Sequence, residues 1–227
     1  MKTNGKLEPT LGVIIAAFFA FGCVATAHRS PRALPPRAVS FGLGLNNLND
    51  IEKEDDGVQL LNTDLRVGLG KGIDFGVMHL LDITEDNDGA FSGVWGDARF
   101  QLTNLSNAPG KPILSFGVSP GYLYDEDVEL WGIAYPISFG IPSRSSTFYL
   151  TWRPEYFSDD FRIVPKSESQ PRNLFLLGWE FGSYNPARSL SPKLVAELGV
   201  MNSLVCGRGD NQFLWNICLN FDIQPAR

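Results

Sequence analysis

Ten stretches of this chain alternate apolar and polar residues with a period of two. Successive side chains of a β-strand point to opposite faces, so this period predicts strands with one apolar and one polar face. The stretch that ends at Ile223 shows it most clearly, because every second residue from Phe213 onward is aliphatic or aromatic. The predicted strands are residues 37–46, 59–69, 73–82, 91–103, 112–124, 128–140, 146–157, 172–184, 193–203 and 211–223.

The number and length of these stretches indicate the fold class. Each has about ten residues, which is the length of a tilted strand that crosses a bilayer. The pattern predicts an all-β fold, an up-and-down antiparallel transmembrane β-barrel of about ten strands over residues 38–223. A soluble secreted β-sandwich or a lipocalin-like binding protein also alternates and is the alternative fold.

The start of the chain is typical of an exported protein. Lys2 and Lys6 precede an apolar run about as long as the core of a signal peptide. Cleavage before Cys23 would make that residue a lipidated N-terminus, whereas the Ala25-Thr26-Ala27 pattern favours cleavage after Ala27. The expected divisions are a signal peptide at residues 1–22, alternatively 1–27, a lead or tether at 23–37, and a C-terminal tail at 224–227.

The connections between the predicted strands alternate in character. The first, third, fifth and seventh are acidic or long, and the others are neutral or basic and mostly shorter. Outer-membrane barrels have short periplasmic turns and longer outer loops, so the acidic connections are expected outside. There they are candidates for binding divalent cations that bridge to lipid headgroups.

Charge and side-chain chemistry narrow the function classes. The net charge is −6 and Lys and Arg do not cluster, which argues against nucleic acid as a partner because phosphate binding needs grouped cations. The chain has only two histidines, and they form no convincing Ser-His-Asp or metal-ligand pattern. The sequence therefore predicts no catalytic residue, cofactor or metal, and it favours a role other than catalysis.

Two segments resemble parts of small bacterial outer-membrane β-barrel proteins. They are Phe41-Gly42-Leu43-Gly44-Leu45 with its Ala33-Leu34-Pro35-Pro36 lead-in, and the hairpin from Arg66 to Gly76. The resemblance implies the outer membrane of a Gram-negative-type bacterium, with membrane lipids and the barrel-assembly machinery as partners. It implies no catalytic motif.

The polar register of the strands predicts which side chains point inward. A ten-stranded barrel is narrow, so these side chains must fill it, and buried charges must pair or be hydrogen-bonded. The predicted interior is either a structural salt-bridge network that plugs the barrel or the lining of a narrow cation-preferring pore. Its charged residues are Asp64, Arg66, Asp74, Asp97, Arg99, Arg153, Glu155, Glu180, Glu197 and Asp222.

Three prolines interrupt the predicted strands. Pro120, Pro136 and Pro154 fall at about the same height when the strands are folded into hairpins, and each lacks the N–H that a closed ladder needs. The arrangement is similar to the proline-flanked gaps of the outer-membrane palmitoyltransferase and predicts a candidate lateral gate for lipid; bulges or tight curvature are the alternative. In a lipid-modifying enzyme, Arg153 and Glu155 would be the first candidates. The leading hypothesis is a surface or envelope-structural barrel with a plugged interior.

Overall fold

The computed structural model describes residues 30–50, 58–84, 92–124, 129–158, 172–182, 190–203 and 210–224. The regular structure in these segments is β-strand, and none of them holds a helix long and apolar enough to cross a membrane. The strands are β1 (Val39–Asp50), β2 (Val58–Gly70), β3 (Ile73–Asp82), β4 (Ser92–Gln101), β5 (Ile113–Tyr124), β6 (Glu129–Ala134), β7 (Ile137–Pro142), β8 (Ser146–Ser158), β9 (Arg172–Phe181), β10 (Leu190–Ser203) and β11 (Asp210–Ile223).

The strands form one closed antiparallel ring, which confirms the predicted barrel. Except for β6 and β7, each strand pairs with its neighbours in sequence, and β1 closes the ring on β11 through twelve residue pairs, from Val39–Ile223 to Asp50–Gln212. Both β6 and β7 pair with β5 and with β8. They are therefore two halves of one wall strand, and the ring has ten positions. The sequence predicted that strand as one piece, 128–140, but it breaks at Tyr135 and Pro136.

The wall presents an apolar surface outward. Alternate residues of every strand point away from the lumen and are half exposed, as Leu65, Phe75, Leu150, Phe175 and Leu198 are. In the described strands this lipid-facing register carries no Lys, Arg or Asp, and its one carboxylate is Glu129 at a strand end. A closed ladder with an apolar outer face is the form in which strands cross a bilayer, because no backbone polar group is left to the lipid.

The positions of the first and last strands distinguish the two ends of the barrel. β1 begins and β11 ends at one rim, here called the inner end, which also carries the short turns at Lys71–Gly72 and 143–145. The sequence predicts that this end faces the periplasm. The acidic connections at the outer end, the candidate lipid site Cys23 and the tail 225–227 lie largely or wholly outside the described residues, so orientation, processing and lipidation stay predictions.

A charge placed on the lipid-facing register should destabilise the barrel. Leu65→Arg, near the middle of β2, is expected to lower the unfolding free energy by about 2–4 kcal/mol, measured by urea unfolding of the barrel in lipid vesicles. The matched change at Leu105, which is 57% exposed in the connection after β4, should cost less than about 0.5 kcal/mol. Equal losses at the two positions would contradict a membrane-facing wall.

Candidate functional site

The lumen holds the charged residues that the sequence placed inside. All ten are buried, from 0% exposure for Asp74 and Glu155 to 7% for Arg66. Two buried cations were missed, Arg172 and Lys193. Strand parity could have found both, because they occupy the same registers as Glu180 and Glu197. Among the described residues, seven buried carboxylates thus face five buried basic side chains. The sequence analysis predicted only three of these five.

One ionic cluster lies near the inner end on β2, β3 and β4. Asp74 forms a short ion pair with Arg66, and its carboxylate lies 4.0 Å from Nε of Arg99. On the same side of the lumen, the Ser119 hydroxyl donates to Asp97 Oδ1 at 2.6 Å. Each carboxylate thereby has a defined polar partner inside the barrel.

An irregular segment, Ser30–Ala38, crosses the inner mouth and is called the strap here. The Leu34 N–H donates to Asp74 Oδ2 at 2.9 Å, and the Ala33 N–H donates to Gln101 Oε1 at 2.8 Å. Arg99 donates to the carbonyls of Ser30 and Arg32. The sequence assigned residues 23–37 to a lead preceding the barrel; the part that is described lies within its mouth.

The strap reaches the opposite wall of the barrel. Its Arg32 guanidinium donates to the carbonyl of Ser143, in the turn between β7 and β8, at 3.4 Å and to that of Ser146, the first residue of β8, at 3.1 Å. Two wall glycines make room for it. A Cβ at Gly68 would lie 1.9 Å from the Pro35 carbonyl oxygen, and one at Gly140 would lie 2.5 Å from Pro31 Cγ. The inner wall therefore has a shape that accommodates this segment.

A second ionic cluster lines the inner half on β9, β10 and β11. Lys193 Nζ lies 2.8 Å from Asp222 Oδ2 and 3.6 Å from Glu180 Oε2. Above it, the Tyr149 hydroxyl donates to Glu197 Oε1 at 2.6 Å, and Asn216 Nδ2 donates to Glu197 Oε2 at 2.9 Å. Tyr149 reaches Glu197 by lying over Gly178, where a Cβ would come 2.2 Å from its ring.

The outer half of the lumen is largely apolar, which differs from the uniformly polar interior that the sequence analysis assumed. Inward-pointing side chains here pack into one buried cluster, called the apolar plug. The strand parity is unchanged, but most inward positions at this height are occupied by hydrophobic residues, and the buried Asn46 and Asn62 lie beside Leu60 and Leu80. The plug consists of Leu60, Met78, Leu80, Trp95, Leu123, Ala134, Leu174, Leu176, Met201 and Leu214.

A charged trio joins the apolar plug to the polar half. Glu155 lies between two arginines, with Oε1 2.8 Å from Arg153 Nε and Oε2 3.6 Å from Arg172 Nη1. The Arg153 guanidinium lies 5.0 Å from the ring centroid of Trp95, and that of Arg172 lies 4.6 Å from the ring of Phe157. These cation–π contacts stabilise charge beside hydrophobic side chains. Arg153 and Glu155 thus form an ion pair within this trio.

The three prolines coincide with a gap in the backbone ladder. Pairing is interrupted between Trp95–Gly121 and Ala98–Val118 on the β4–β5 interface. The wall strand formed by β6 and β7 has one interface with β5 and one with β8. On both interfaces the residue pairs of Tyr135 and Pro136 are missing. On all three interfaces the register is the same on both sides of the gap. No residue is inserted, so the gap is not a β-bulge of the two-against-one kind.

The surroundings of this gap differ on its two sides. Two cross-strand hydrogen bonds persist within it, from the Gly117 N–H to the Pro136 carbonyl and from the Tyr135 N–H to the Pro154 carbonyl. The lumen side has a cavity of about 30 Å³, lined by polar groups such as Ser138 and by Trp95. That volume suits one or two water molecules.

The lipid side of the gap is covered by side chains. Ile133 and Pro154 are on the lipid-facing register yet are buried, and the rings of Tyr135 and Tyr156 pack edge to face beside them at 6.2 Å. Tyr156 is the register partner of Ile133. The gap is therefore closed in this conformation by side chains and by only two cross-strand backbone hydrogen bonds.

No protein-family model and no curated protein matches this sequence. Among solved structures, the β domain of the Bordetella autotransporter BrkA is 13% identical, with a TM-score of 0.41 over 83% of this chain and 100% of that one. Ail of Yersinia pestis is 10% identical, with a TM-score of 0.30 over 84% and 100% of the two chains. OprG of Pseudomonas aeruginosa is 7% identical, with a TM-score of 0.31 over 87% and 100%. Similarities this low carry no functional argument.

The wall and the lumen of the chain itself define its class. A closed antiparallel ring, an apolar outer face and an interior that holds the buried charges make it a transmembrane β-barrel of the bacterial outer membrane. Its immediate surroundings are outer-membrane lipids. Within the described residues, no group of three or more His, Cys, Asp or Glu side chains is arranged to hold a metal ion.

Removing the carboxylate of Asp74 should destabilise the barrel more than removing a partly buried charge at the outer end of β3. Asp74→Ala leaves Arg66 without its ion-pair partner and the Leu34 N–H without its acceptor, and is expected to cost about 3–5 kcal/mol of unfolding free energy. Because both residues serve one interaction, the double variant with Arg66→Ala should lose less than the sum of the single losses. Urea unfolding measures all three.

The matched control is Asp82→Ala, at the outer end of β3, where the carboxylate is hydrogen-bonded to Thr84. Its loss should cost about 1 kcal/mol. Additive losses at Arg66 and Asp74 would show that the pair does not act as a unit.

Proposed function

We propose that this protein is a sealed, non-conducting outer-membrane barrel with a surface or envelope-structural role. The observation that carries the proposal is closure of the lumen at two heights, by the strap at the inner mouth and by the apolar plug in the outer half. An ion would have to displace a hydrogen-bonded segment and then cross a packed hydrophobic layer. Either barrier alone opposes conduction.

The pairing of lumen charges also favours this role over a cation pore. With Arg172 and Lys193 included, the surplus of buried carboxylates over buried cations is two and not four. Both additional cations contact acids, Arg172 at Glu155 and Lys193 at Asp222. A selective pore needs charges that face an open aqueous path, whereas these charges contact one another or, as at Asp97 and Glu197, neutral polar side chains.

Single-channel recording in planar bilayers tests the seal. The wild-type barrel should give no discrete currents. Gly68→Val should displace the strap, because its side chain would occupy the place of the Pro35 carbonyl, and Trp95→Ala should remove the largest side chain of the apolar plug. Since the two barriers act in series, each single variant should stay silent and the double variant should conduct.

Gly96→Val is the matched control for the strap variant. A Cβ at Gly96 would meet only ordinary contacts, the nearest at 3.6 Å, so its combination with Trp95→Ala should remain silent. Reproducible conductance of the wild-type barrel would overturn the proposal and favour the pore.

A second candidate function is lateral handling of a lipid or another amphiphile. It is supported by the ladder gap at Pro120, Pro136 and Pro154. Backbone residue pairs are missing there on three adjacent strand interfaces, while the register is the same on both sides of the gap. A wall held there by side chains would open at lower cost than a continuous ladder. The apolar plug, whose Trp95 lines the cavity behind the gap, would then receive the acyl part of the molecule.

Proline replacement tests the lateral route. In a variant that keeps Trp95 as its only tryptophan, quenching of its fluorescence by a brominated detergent reports entry. Replacing Pro120, Pro136 and Pro154 by alanine restores three ladder donors and should slow quenching about tenfold, as the wall opens less often. Pro192→Ala, on the exposed face of β10 away from the gap, should leave the rate unchanged. Unaltered quenching in the folded triple variant would reject the route.

A lipid anchor at Cys23, divalent cations at the acidic outer connections, and insertion by the barrel-assembly machinery extend the proposed role. Each would fix the barrel or its loops at the membrane surface. They follow from the sequence and from the membrane setting of the barrel. The residues concerned lie largely outside the described segments.

A further inference from the structure

All the exposed basic side chains of the described residues lie at the inner end of the barrel. They are Arg37 of the strap, Lys71 of the β2–β3 turn, Lys111 of the β4–β5 connection and Arg144 of the β7–β8 turn. The other basic side chains of the described segments are buried or half-buried in the lumen or the strap. The inner end therefore has a positively charged rim.

No exposed carboxylate of the described residues offsets this charge at the inner rim. The acids of the inner half, such as Asp74, Glu180 and Asp222, are buried in the lumen beside basic side chains. In the sequence, Asp and Glu are absent from the strap and from all the inner-end connections, which are residues 71–72, 102–112, 143–145 and 182–189. The rim charge is thus available to an anionic partner.

The first two of these cations, Arg37 and Lys71, lie side by side and are called the first basic pair. The Arg37 N–H donates to the Gly68 carbonyl at 2.8 Å, and a Cβ at Gly70 would lie 3.2 Å from Pro36 Cβ. Both cations have left-handed backbone, with φ of 64° and 54°, which glycine or asparagine adopts at lower cost. The turns themselves therefore do not require long basic side chains at these positions.

The other two cations, Lys111 and Arg144, are called the second basic pair. The Gly110 N–H donates to the Pro142 carbonyl at 2.7 Å, which attaches the β4–β5 connection to the end of β7. Lys111 directly follows Gly110, and Arg144 is two residues beyond Pro142. The members of each pair are distant in sequence, and the barrel brings them to the same part of the rim.

Each basic pair lies at the edge of the apolar outer face. Leu69, which is 58% exposed, precedes Lys71 by two residues, and Ile141, which is 50% exposed, precedes Arg144 by three. Both Leu69 and Ile141 are on the lipid-facing register. Lys and Arg at such a boundary keep their aliphatic stems along apolar surface and extend their charge into the headgroup layer. The pairs are therefore at the depth of lipid phosphates.

We propose that the two basic pairs are docking sites for anionic phospholipids of the leaflet at the inner end. Each pair presents two positive charges and several N–H donors to a lipid phosphate. A net negative headgroup is favoured over a zwitterionic one, because the ammonium of the latter is repelled by the pair. A lipid fits better than a soluble anion, since its acyl chains lie along the apolar wall that begins beside each pair.

Lipids bound at two places on the rim hold the barrel at a fixed depth in the membrane. The inference names the class of lipid that the inner rim selects and does not depend on whether the lumen is sealed. Silence in planar bilayers tests the seal, whereas lipid binding tests the rim, so failure of one can be distinguished from failure of the other.

Native mass spectrometry of the full barrel, purified from membranes in a non-ionic detergent, tests the docking sites. Phosphatidylglycerol, the anionic probe, should form complexes with up to two bound lipids, and its affinity should exceed that of phosphatidylcholine with the same chains about tenfold. Glycerol phosphate has the same charged chemistry without acyl chains. It should bind at least about tenfold more weakly than phosphatidylglycerol, because it leaves the apolar wall uncovered.

Neutral variants assign each bound lipid to one pair. Arg37→Asn with Lys71→Asn should leave one bound phosphatidylglycerol, and asparagine suits the left-handed backbone of both positions. Lys111→Gln with Arg144→Gln should likewise leave one, and the fourfold variant none. The exchange of Arg37→Lys with Lys71→Arg keeps the charge and should keep both lipids. Glu129→Gln, at an exposed residue of the outer end, is the control and should change nothing.

Heat-modifiability on SDS gels verifies that each variant is folded, and if one double variant does not fold, the other still decides. Equal affinity of the wild-type barrel for the two lipids would overturn the proposal. Retention of both bound lipids by a folded double variant would overturn it as well. Glycerol phosphate that binds as tightly as phosphatidylglycerol would also reject lipid docking and make the rim a site for soluble anions.

Discussion

The hydrocarbon core of a membrane provides no hydrogen-bond partner for a peptide group, and most other features of this structure follow from that. Strands can cross it only as a closed ring, so β1 must pair with β11 along its whole length. Closure directs one register of every strand to the lipid and the other into a narrow lumen. Every charge within the wall is thereby confined to a small space, where it needs a partner, and the arginines, lysine, tyrosine and asparagine of the lumen provide those partners.

Much of this arrangement could be predicted from sequence, because a period of two specifies both the strands and the direction of each side chain. Parity identified the buried carboxylates, and applied consistently it would have identified Arg172 and Lys193 too. Parity gives direction but not height along the barrel. It therefore did not separate the charged inner half from the apolar plug. The strap has no period at all; its position depends on partners such as Asp74 and Gln101, which are remote in sequence.

The two halves of the lumen stabilise the wall in different ways. In the inner half, ion pairs and strap hydrogen bonds link strands across the interior as well as around the ring. In the outer half, the apolar plug fills space and gives no directional links. The ladder gap lies where the two meet, next to Trp95 and Arg153. At that height the contacts of side chains, such as those of Tyr135 with Tyr156, replace part of the stabilisation that backbone hydrogen bonds supply elsewhere.

The route of the strap has a consequence for the order of folding. The strap continues directly into β1, yet its hydrogen-bond partners are distant in sequence. Asp74 is 40 residues from Leu34, Gln101 is 68 residues from Ala33, and Ser146 is 114 residues from Arg32. Those partners come together only when the hairpins from β3 to β8 have assembled. Contacts between remote residues carry the largest loop-closure cost and form late. The strap precedes every described strand in the sequence and is thus among the last of the described segments to reach its native place, so its docking marks a late step of barrel assembly.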